Sequence, residues 1–283
     1  MENKTRITID DMDGVLYPVK DKKEKIMIVV SGSEGGLEYA ERVAKYFAEH
    51  GIPAFALALF KTGHTGKSLD RIPVERVGRA ITWLKKQGYQ KIGIEGISKG
   101  TEYVMAAAIQ YHELSCVILK TPSWYYSEGL VRKQPSGHSC WTWGGSEIEF
   151  TPYKIRHFHM VKMLWEAKEF NILPVNVGKD IVESSVIQIE KIHAPILMFS
   201  TKADTVWPSY ESSLKLCDRL QKAQYKYPYK HISFEHMSHI MLENCGGGIC
   251  KFIKSEKENP QACRDEREKM GKASIEWINN VWK

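Results

Sequence analysis

The sequence has little cysteine and no long apolar run. Its 283 residues include six cysteines but no Cys-x-x-Cys pair, which argues against a disulfide framework and against a zinc ribbon. Cys245, Cys250 and Cys263 cluster late in the chain without the spacing or the fourth ligand of a zinc site, so we expect free thiols and no metal. No apolar run approaches the roughly 18 residues of a membrane span, and the first residues, MENKTRITIDD, lack the apolar core of a signal peptide. We therefore expect a folded cytoplasmic protein without a membrane span.

Charge of one sign is not concentrated anywhere in the chain. The 40 Lys and Arg residues are interspersed with 34 Asp and Glu residues, which leaves a net charge of +6 without a basic stripe. This distribution argues against a nucleic-acid partner. A mildly basic surface would still attract an anionic small-molecule substrate.

Apolar, β-branched runs alternate with segments of helical periodicity along most of the chain. The strand-like runs are KIMIVV, AFALALF, KIGIEGI, CVILK, APILMFS and HISFEH. This alternation predicts an α/β fold with βαβ crossovers, in which helices cover both faces of a mostly parallel central sheet. We expect one domain over residues 1–283. The rhythm breaks over residues 121–190, which are rich in aromatic residues, and this segment is either a lid inserted over an apolar site or a subdomain whose aromatics fill its own core.

A Gly-x-Ser-x-Gly motif lies between one of these strands and a helix. In Gly96-Ile97-Ser98-Lys99-Gly100 the serine follows KIGIEGI and precedes TEYVMAAAIQY, which is the setting of a nucleophile elbow. Glycine is needed on both sides because a β-carbon there would collide with the neighbouring strand or helix. The alternative is a serine that simply caps the helix.

A serine nucleophile needs a base and a carboxylate, which follow it along the chain in this fold. Asp204 lies just past the carboxyl end of a buried strand, whereas Asp180 and Asp218 fall in the insert or inside a helix. His239 follows the next strand, and His236 in the same loop is its rival. The position of these residues predicts a triad of Ser98, Asp204 and His239.

The serine also needs two N–H donors for the oxyanion of the tetrahedral intermediate. One is the backbone N–H of Lys99, and the other is expected from the turn SGSEGGLEYA, at Ser33 or Glu34. This glycine-rich turn lacks the spacing of a nucleotide-binding loop. Glu34, Trp124 and Trp207 are further candidates for the substrate pocket or lid.

Several of these segments resemble one family. The segments are GISKG with a glutamate two places on, LDRIPVERVGRAITWL before it and IEKIHAPILMFSTKADTVWPS after it. They are similar to the C-terminal catalytic domain of the acyl-CoA thioesterase and bile acid-CoA:amino acid N-acyltransferase family, whose members are α/β-hydrolases related to dienelactone hydrolase. The likeness runs from about Ile26 to Trp282. It implies the same triad of Ser98, Asp204 and His239, and the hydrolysis of acyl-CoA thioesters or related esters without a cofactor.

The chain departs from the family pattern at the approach to its histidine, which reads His236-Met237-Ser238 rather than a glycine-rich run, and in its aromatic insert. It also has only a short segment where the family's thioesterases carry a β-sandwich domain. Serine in place of the cysteine of the family's acyltransferases favours hydrolysis over transfer. We therefore expect a serine ester or thioester hydrolase, with a small-molecule acyl ester or thioester as substrate and a homodimer as a possible assembly. The alternatives are a small-molecule carboxylesterase, an acyl-CoA:amino acid N-acyltransferase and a non-catalytic binding module of the same fold.

Overall fold

An eight-stranded sheet forms the centre of the fold in the computed structural model, which describes residues 4–159, 171–173, 180–243 and 253–283. The strands are β1 Thr5–Ile9, β2 Met12–Tyr17, β3 Lys25–Val30, β4 Ala54–Leu57, β5 Ile72–Pro73, β6 Lys91–Ile97, β7 Leu114–Lys120, β8 Glu128–Val131, β9 Gln134–Ser139, β10 Trp141–Trp143, β11 Ser146–Glu147, β12 Ile196–Thr201 and β13 Tyr229–Phe234. The central sheet has the order β1-β2-β4-β3-β6-β7-β12-β13. All its neighbouring pairs from β4 to β13 are parallel, which confirms the predicted α/β-hydrolase sheet.

The antiparallel hairpin of β1 and β2 at one end of the sheet was not predicted. Strand β2 pairs with β4, so the hairpin extends the sheet. The segment MDGVLY does not have the pattern of a buried strand because it contains Asp13 and Gly14. Asp13 is nevertheless fully buried, since Arg6 on β1 donates two hydrogen bonds to its carboxylate at 2.8 and 3.0 Å. A cross-strand partner therefore neutralises the charge that hides this strand in the sequence.

Helices cover both faces of the sheet. They are α1 Glu38–Glu49, α2 Glu75–Lys86, α3 Lys99–Gln110, α4 Ser209–Lys222, α5 Lys254–Glu258 and α6 Pro260–Glu276, which continues as a π-helical turn over Trp277–Val281. The last long helix begins at Pro260, because proline is well tolerated in the first turn of a helix.

Most of the hydrophobic core lies in two large clusters, one on each face of the sheet. Ile28 of β3 belongs to the cluster that includes buried residues of α2 and α3, whereas its neighbours Met27 and Val29 belong to the cluster that includes α1 and the C-terminal helix. Successive side chains of a strand point to opposite faces, so a strand buried on both faces contributes to both clusters. This burial explains the continuous apolar runs in the sequence.

The described part of the aromatic segment 121–190 contributes strands to two small sheets. Strands β8 and β9 form a hairpin, while β10 pairs with β11 and with β5. Trp141 on β10 is fully buried in the same cluster as α3, with its ring centroid 5.3 Å from that of Tyr103. At least this aromatic residue therefore extends the main core. Trp165 lies outside the described residues.

Four of the cysteines are free thiols, namely Cys116, Cys140, Cys217 and Cys263. Of the late group in the sequence, Cys245 and Cys250 lie outside the described residues. Within the described ranges, the side chains of His, Cys, Asp and Glu form no group that could hold a metal ion. In the same ranges, none of the helices has both the length and the apolar character required to cross a bilayer.

Candidate active site

Ser98 occupies the sharp turn between β6 and α3. Its backbone has φ 52° and ψ −124°, a conformation that a residue with a side chain rarely adopts and that costs on the order of 1–3 kcal/mol. Its N–H donates to the carbonyl of Lys120 at 2.9 Å, which ties the turn to strand β7. A strained serine between a strand and a helix is the geometry of a nucleophile elbow.

The glycines beside the serine are required by close packing, as the sequence predicted. A β-carbon on Gly96 would lie 2.7 Å from Val104 Cγ2 and 2.8 Å from the carbonyl oxygen of Gly100. A β-carbon on Gly100 would collide with the carbonyl oxygen of Ser31. The turn can therefore approach its neighbours only because both residues lack a side chain.

Asp204 and His239 are in direct contact at the carboxyl edge of the sheet. His239 Nδ1 lies 2.8 Å from Asp204 Oδ2 and 3.0 Å from Oδ1, and both residues are almost fully buried. The Asp204 carboxylate also accepts hydrogen bonds from the N–H groups of Val206 and Trp207, both at 2.9 Å, and from Ser209 Oγ at 2.6 Å. Because an ionised carboxylate only accepts, Nδ1 carries the proton and Nε2 is left as the basic nitrogen.

The two rival histidines of the loop after β13 have different surroundings. The backbone N–H of His236 donates to Glu266 Oε2 at 3.1 Å, and the N–H of Met237 donates to the same oxygen at 2.6 Å. These two bonds anchor the loop. The imidazole that contacts Asp204 belongs to His239. Asp218, one of the competing carboxylates, forms an exposed pair with Lys222 in α4. The structure thus brings together the Asp204 and His239 of the prediction.

A second anchor holds the same loop from its other side. Ser238 donates to Glu256 Oε1 from its N–H at 3.1 Å and from its hydroxyl at 2.6 Å. Arg267 Nη1 donates to the other carboxylate oxygen at 2.9 Å. Burial opposes the charged form of Glu256, but Arg267 and Ser238 hold its pKa below the usual value. The residue before His239 is therefore fixed by a buried ion pair.

The turn after β3 lies against the elbow. A β-carbon on Gly32 would lie 3.2 Å from Ser98 Cβ and 2.9 Å from Glu34 Oε2, so the turn, the serine and the Glu34 carboxylate meet at one point. Glu34 is exposed as a residue, yet its Oε1 turns back to accept the Gly32 N–H at 3.0 Å. Desolvation of the carboxyl raises the pKa of Glu34, while a positive charge on His239 would act in the opposite sense. Ser33 is exposed between these two residues.

The two candidate tryptophans are linked through Tyr125. Trp207 is buried beside Asp204, and its ring centroid lies 5.4 Å from that of Tyr125. Tyr125 is in turn 5.4 Å from the half-buried Trp124, over which Lys215 Nζ lies at 3.7 Å. Trp124 also lines a surface cavity of about 550 Å³ between the insert and α4. An aromatic path therefore leads from the Asp204 turn to the protein surface.

Reasoning from the sequence missed three supporting residues. Ser209, which donates to Asp204, lies in the Asp-x-x-Trp-Pro-Ser run and could have been found there. The Lys99 side chain lies in the GISKG motif, although only its backbone N–H was considered. Glu256 carried no signal because its contact with Ser238 joins separate parts of the chain.

Comparison with known proteins assigns the chain to a family. The model of the family described as "BAAT / Acyl-CoA thioester hydrolase C terminal" matches residues 72–245, more than half of the chain. No curated protein matches the sequence significantly.

Solved structures resemble the chain over nearly its whole length at low sequence identity. An α/β hydrolase enzyme from a Medee basin deep-sea metagenome library has a TM-score of 0.60 at 15% identity, covering 99% of this chain and 98% of that one. An esterase of Pyrococcus furiosus has a TM-score of 0.57 at 11% identity, with 99% and 93% covered. The dienelactone hydrolase of Anabaena variabilis has a TM-score of 0.51 at 14% identity, with 100% and 99% covered. The chain has the α/β-hydrolase fold, and it belongs to the BAAT / acyl-CoA thioester hydrolase C-terminal family of hydrolases.

Proposed function

We propose that this hydrolase cleaves acyl thioesters of the acyl-CoA type, or carboxylic esters, through a covalent acyl-enzyme on Ser98. The observation that carries the proposal is the combination of a strained Ser98 at the elbow with a buried Asp204–His239 pair at the same edge of the sheet. The family match supports the thioester class.

In the proposed mechanism His239 Nε2 takes the hydroxyl proton while Ser98 Oγ attacks the acyl carbonyl. The backbone N–H of Lys99 and that of Ser33 donate to the oxyanion that forms. The intermediate expels the thiol or alcohol, which receives the proton from His239, and leaves an ester on Ser98. Water, activated by the same imidazole, then releases the acid. Asp204 orients the ring and stabilises the imidazolium.

We propose that the chain forms a single domain and that the insert over residues 121–190 selects the substrate. The aromatic path from Trp207 through Tyr125 to Trp124 supports this role, because a row of aromatic residues that begins at the Asp204 turn suits an acyl chain. Trp124→Ala should raise KM for long acyl chains more than for acetyl esters. Equal effects on both would contradict this role.

Labelling with a fluorophosphonate probe tests the chemistry directly. The wild-type chain should form a covalent adduct on Ser98, and Ser98→Ala should lose both the adduct and the turnover of p-nitrophenyl acetate. Ser146→Ala, which removes an exposed serine of β11, serves as the matched control and should behave as wild type. A wild-type chain that is neither labelled nor active would overturn the proposal and favour a non-catalytic binding module.

Comparing leaving groups then separates the substrate classes. A thioesterase should have a higher kcat/KM for acyl-CoA esters than for p-nitrophenyl esters of the same acyl chain, and a carboxylesterase the reverse. Product analysis with glycine or taurine present checks for transfer, because an N-acyl conjugate instead of the free acid would contradict hydrolysis.

A further inference from the structure

The side chain of Lys99 is buried, although its residue directly follows the elbow serine. Only 8% of the residue is exposed, and its ammonium contacts the insert. Nζ donates to Ser127 Oγ, to the carbonyl of Glu128 at 3.1 Å and to Cys140 Sγ at 3.3 Å. It also lies 5.4 Å from the ring centroid of Tyr153. All of these partners belong to residues 127–153, so the ammonium joins the start of α3 to the insert.

Glu102, one turn further along α3, strengthens the same connection. Its Oε1 lies 3.4 Å from Lys99 Nζ. Its carboxylate accepts hydrogen bonds from Ser127 Oγ at 2.7 Å, the Ser127 N–H at 3.1 Å and Trp141 Nε1 at 3.0 Å. A buried charge is costly unless it is paired and hydrogen-bonded, and both charges of this pair meet that condition. The pair is therefore held in one geometry by the insert.

Lys99 of this ion pair directly follows the elbow serine in the chain. Ser98 has a strained backbone, and a strained residue persists only where its surroundings hold it. The next peptide N–H belongs to Lys99, so any relaxation of Ser98 would turn that N–H. Lys99 is fixed at both ends, by the packing of the elbow on strand β7 and by its ammonium in the insert.

We propose that Lys99 and Glu102 are positioning residues for the oxyanion donor: their buried ion pair with residues 127–153 aims the Lys99 N–H at the oxyanion and makes the elbow geometry dependent on the insert. This inference rests on the proposed acyl-enzyme mechanism. It assigns a role to the lysine and glutamate of the GISKG-x-E segment, whose side chains take no part in that mechanism.

A donor that acts on the oxyanion stabilises the transition state more than the bound substrate, so its misalignment lowers kcat rather than raising KM. Complete loss of one oxyanion donor costs about 10²–10³ in kcat, and a misaimed donor should cost less. For p-nitrophenyl acetate, which makes few contacts with an insert, we expect Lys99→Met to lower kcat about 30-fold and to change KM less than about twofold. Lys99→Arg keeps the charge and should recover part of the loss.

A trifluoromethyl ketone gives a second readout of the same donor. Ser98 Oγ adds to the ketone carbon, His239 takes the hydroxyl proton, and the former carbonyl oxygen becomes an oxyanion. The inhibition constant should rise in Lys99→Met by about the same factor as kcat falls. The uncharged alcohol product of an ester substrate should bind with unchanged affinity, because it makes no oxyanion.

Ile81→Ala controls for loss of stability, since it removes a buried side chain of α2 that makes no hydrogen bond or ion pair with Lys99 or Glu102. All assays are run well below the melting temperatures. If Lys99→Met unfolds, Glu102→Gln and Lys99→Arg supply the same test with milder changes. Unchanged kcat and inhibitor affinity in a variant that is clearly less stable would overturn the inference while leaving the hydrolase proposal intact. Failure of the hydrolase proposal would instead appear as an inactive, unlabelled wild-type chain.

Discussion

Lys99 and Lys120 are both buried, but the protein neutralises the two ammonium groups in different ways. Lys99 has one carboxylate, that of Glu102, and otherwise a hydroxyl, a carbonyl and a thiol from the insert. Lys120 on strand β7 has two carboxylates at 2.6 Å, those of Glu95 on the neighbouring strand and of Glu243 beyond the His239 loop. The Lys99 cluster is thus built mainly from dipoles of the insert, and the Lys120 cluster from charged side chains.

This difference gives the two clusters a different dependence on pH. Around Lys99, burial opposes the ammonium, but the Cys140 sulfur and the Glu102 carboxylate keep the pKa of Lys99 above its usual value. Around Lys120, two carboxylates compete for one cation, and burial raises the pKa of Glu95 to about 7 despite the attraction of Lys120. The Lys99 cluster therefore depends on the folding of the insert, whereas the Lys120 cluster depends on the ionisation of Glu95.

The largest expected effect is the removal of the Lys120 ammonium. Lys120→Met leaves two buried carboxylates without their cation and should lower the free energy of unfolding by about 4 kcal/mol at pH 8. Chemical denaturation measures this loss, which should shrink at pH 5 because Glu95, whose pKa burial raises to about 7, then holds a proton. Adding Glu95→Gln should restore part of the stability. A cost below that of Lys99→Met would contradict the comparison.

The next effect is the loss of the Lys99 ammonium. Lys99→Met should lower the free energy of unfolding by about 3 kcal/mol, less than Lys120→Met, because Glu102 keeps its hydrogen bonds from Ser127 and Trp141. The loss should be independent of pH between 5 and 8, since no second carboxylate competes there. A marked pH dependence in denaturation curves would show that the two clusters behave alike.

Glu95→Gln isolates the ionisation of the Lys120 cluster. The folded chain binds the Glu95 proton more tightly than an unfolded chain, whose pKa is near 4.5, so this group's contribution to stability is complete below about 4.5 and is lost as pH rises through about 7. Between pH 5 and 8 the wild-type chain should therefore lose about 2 kcal/mol relative to Glu95→Gln. Glu24→Gln, at an exposed ion pair with Lys91, is the control and should show no such difference. Parallel pH profiles for wild type and Glu95→Gln would refute the assignment.

The smallest effect is expected at Cys140, a neutral member of the Lys99 cluster. Its thiol contacts Lys99 Nζ and donates to the Glu128 carbonyl at 3.3 Å, and burial raises its pKa to about 12. Cys140→Ser keeps a donor and an acceptor, so its effects should be small. The free energy of unfolding should change by less than about 1 kcal/mol, and kcat should change by less than about threefold. A larger change in kcat than in stability would show that the sulfur itself positions the elbow.

The alternation of the main strands and helices could be predicted from the sequence, which also indicates Ser98, Asp204 and His239 as the candidates for catalysis. Strands buried on both faces leave continuous apolar runs, and Ser98 and Asp204 lie where two of those runs end. The β1–β2 hairpin could not be predicted because Asp13 is acceptable in a buried strand only with Arg6 across from it. The choice between His236 and His239 also needed the structure, since both lie in one loop and only the contact with Asp204 separates them.

The sequence by itself determined the alternating α/β pattern and the glycine-flanked serine, because periodicity and missing β-carbons are local properties of the chain. Only the tertiary structure decided how the buried charges are paired. Glu95 and Lys120 interrupt two apolar runs, and they become an ion pair only because β6 and β7 are adjacent in the sheet. Lys99 meets its partners only after the insert packs on α3. A buried charge is tolerated through contacts distant in sequence, so its role appears only when those contacts are made.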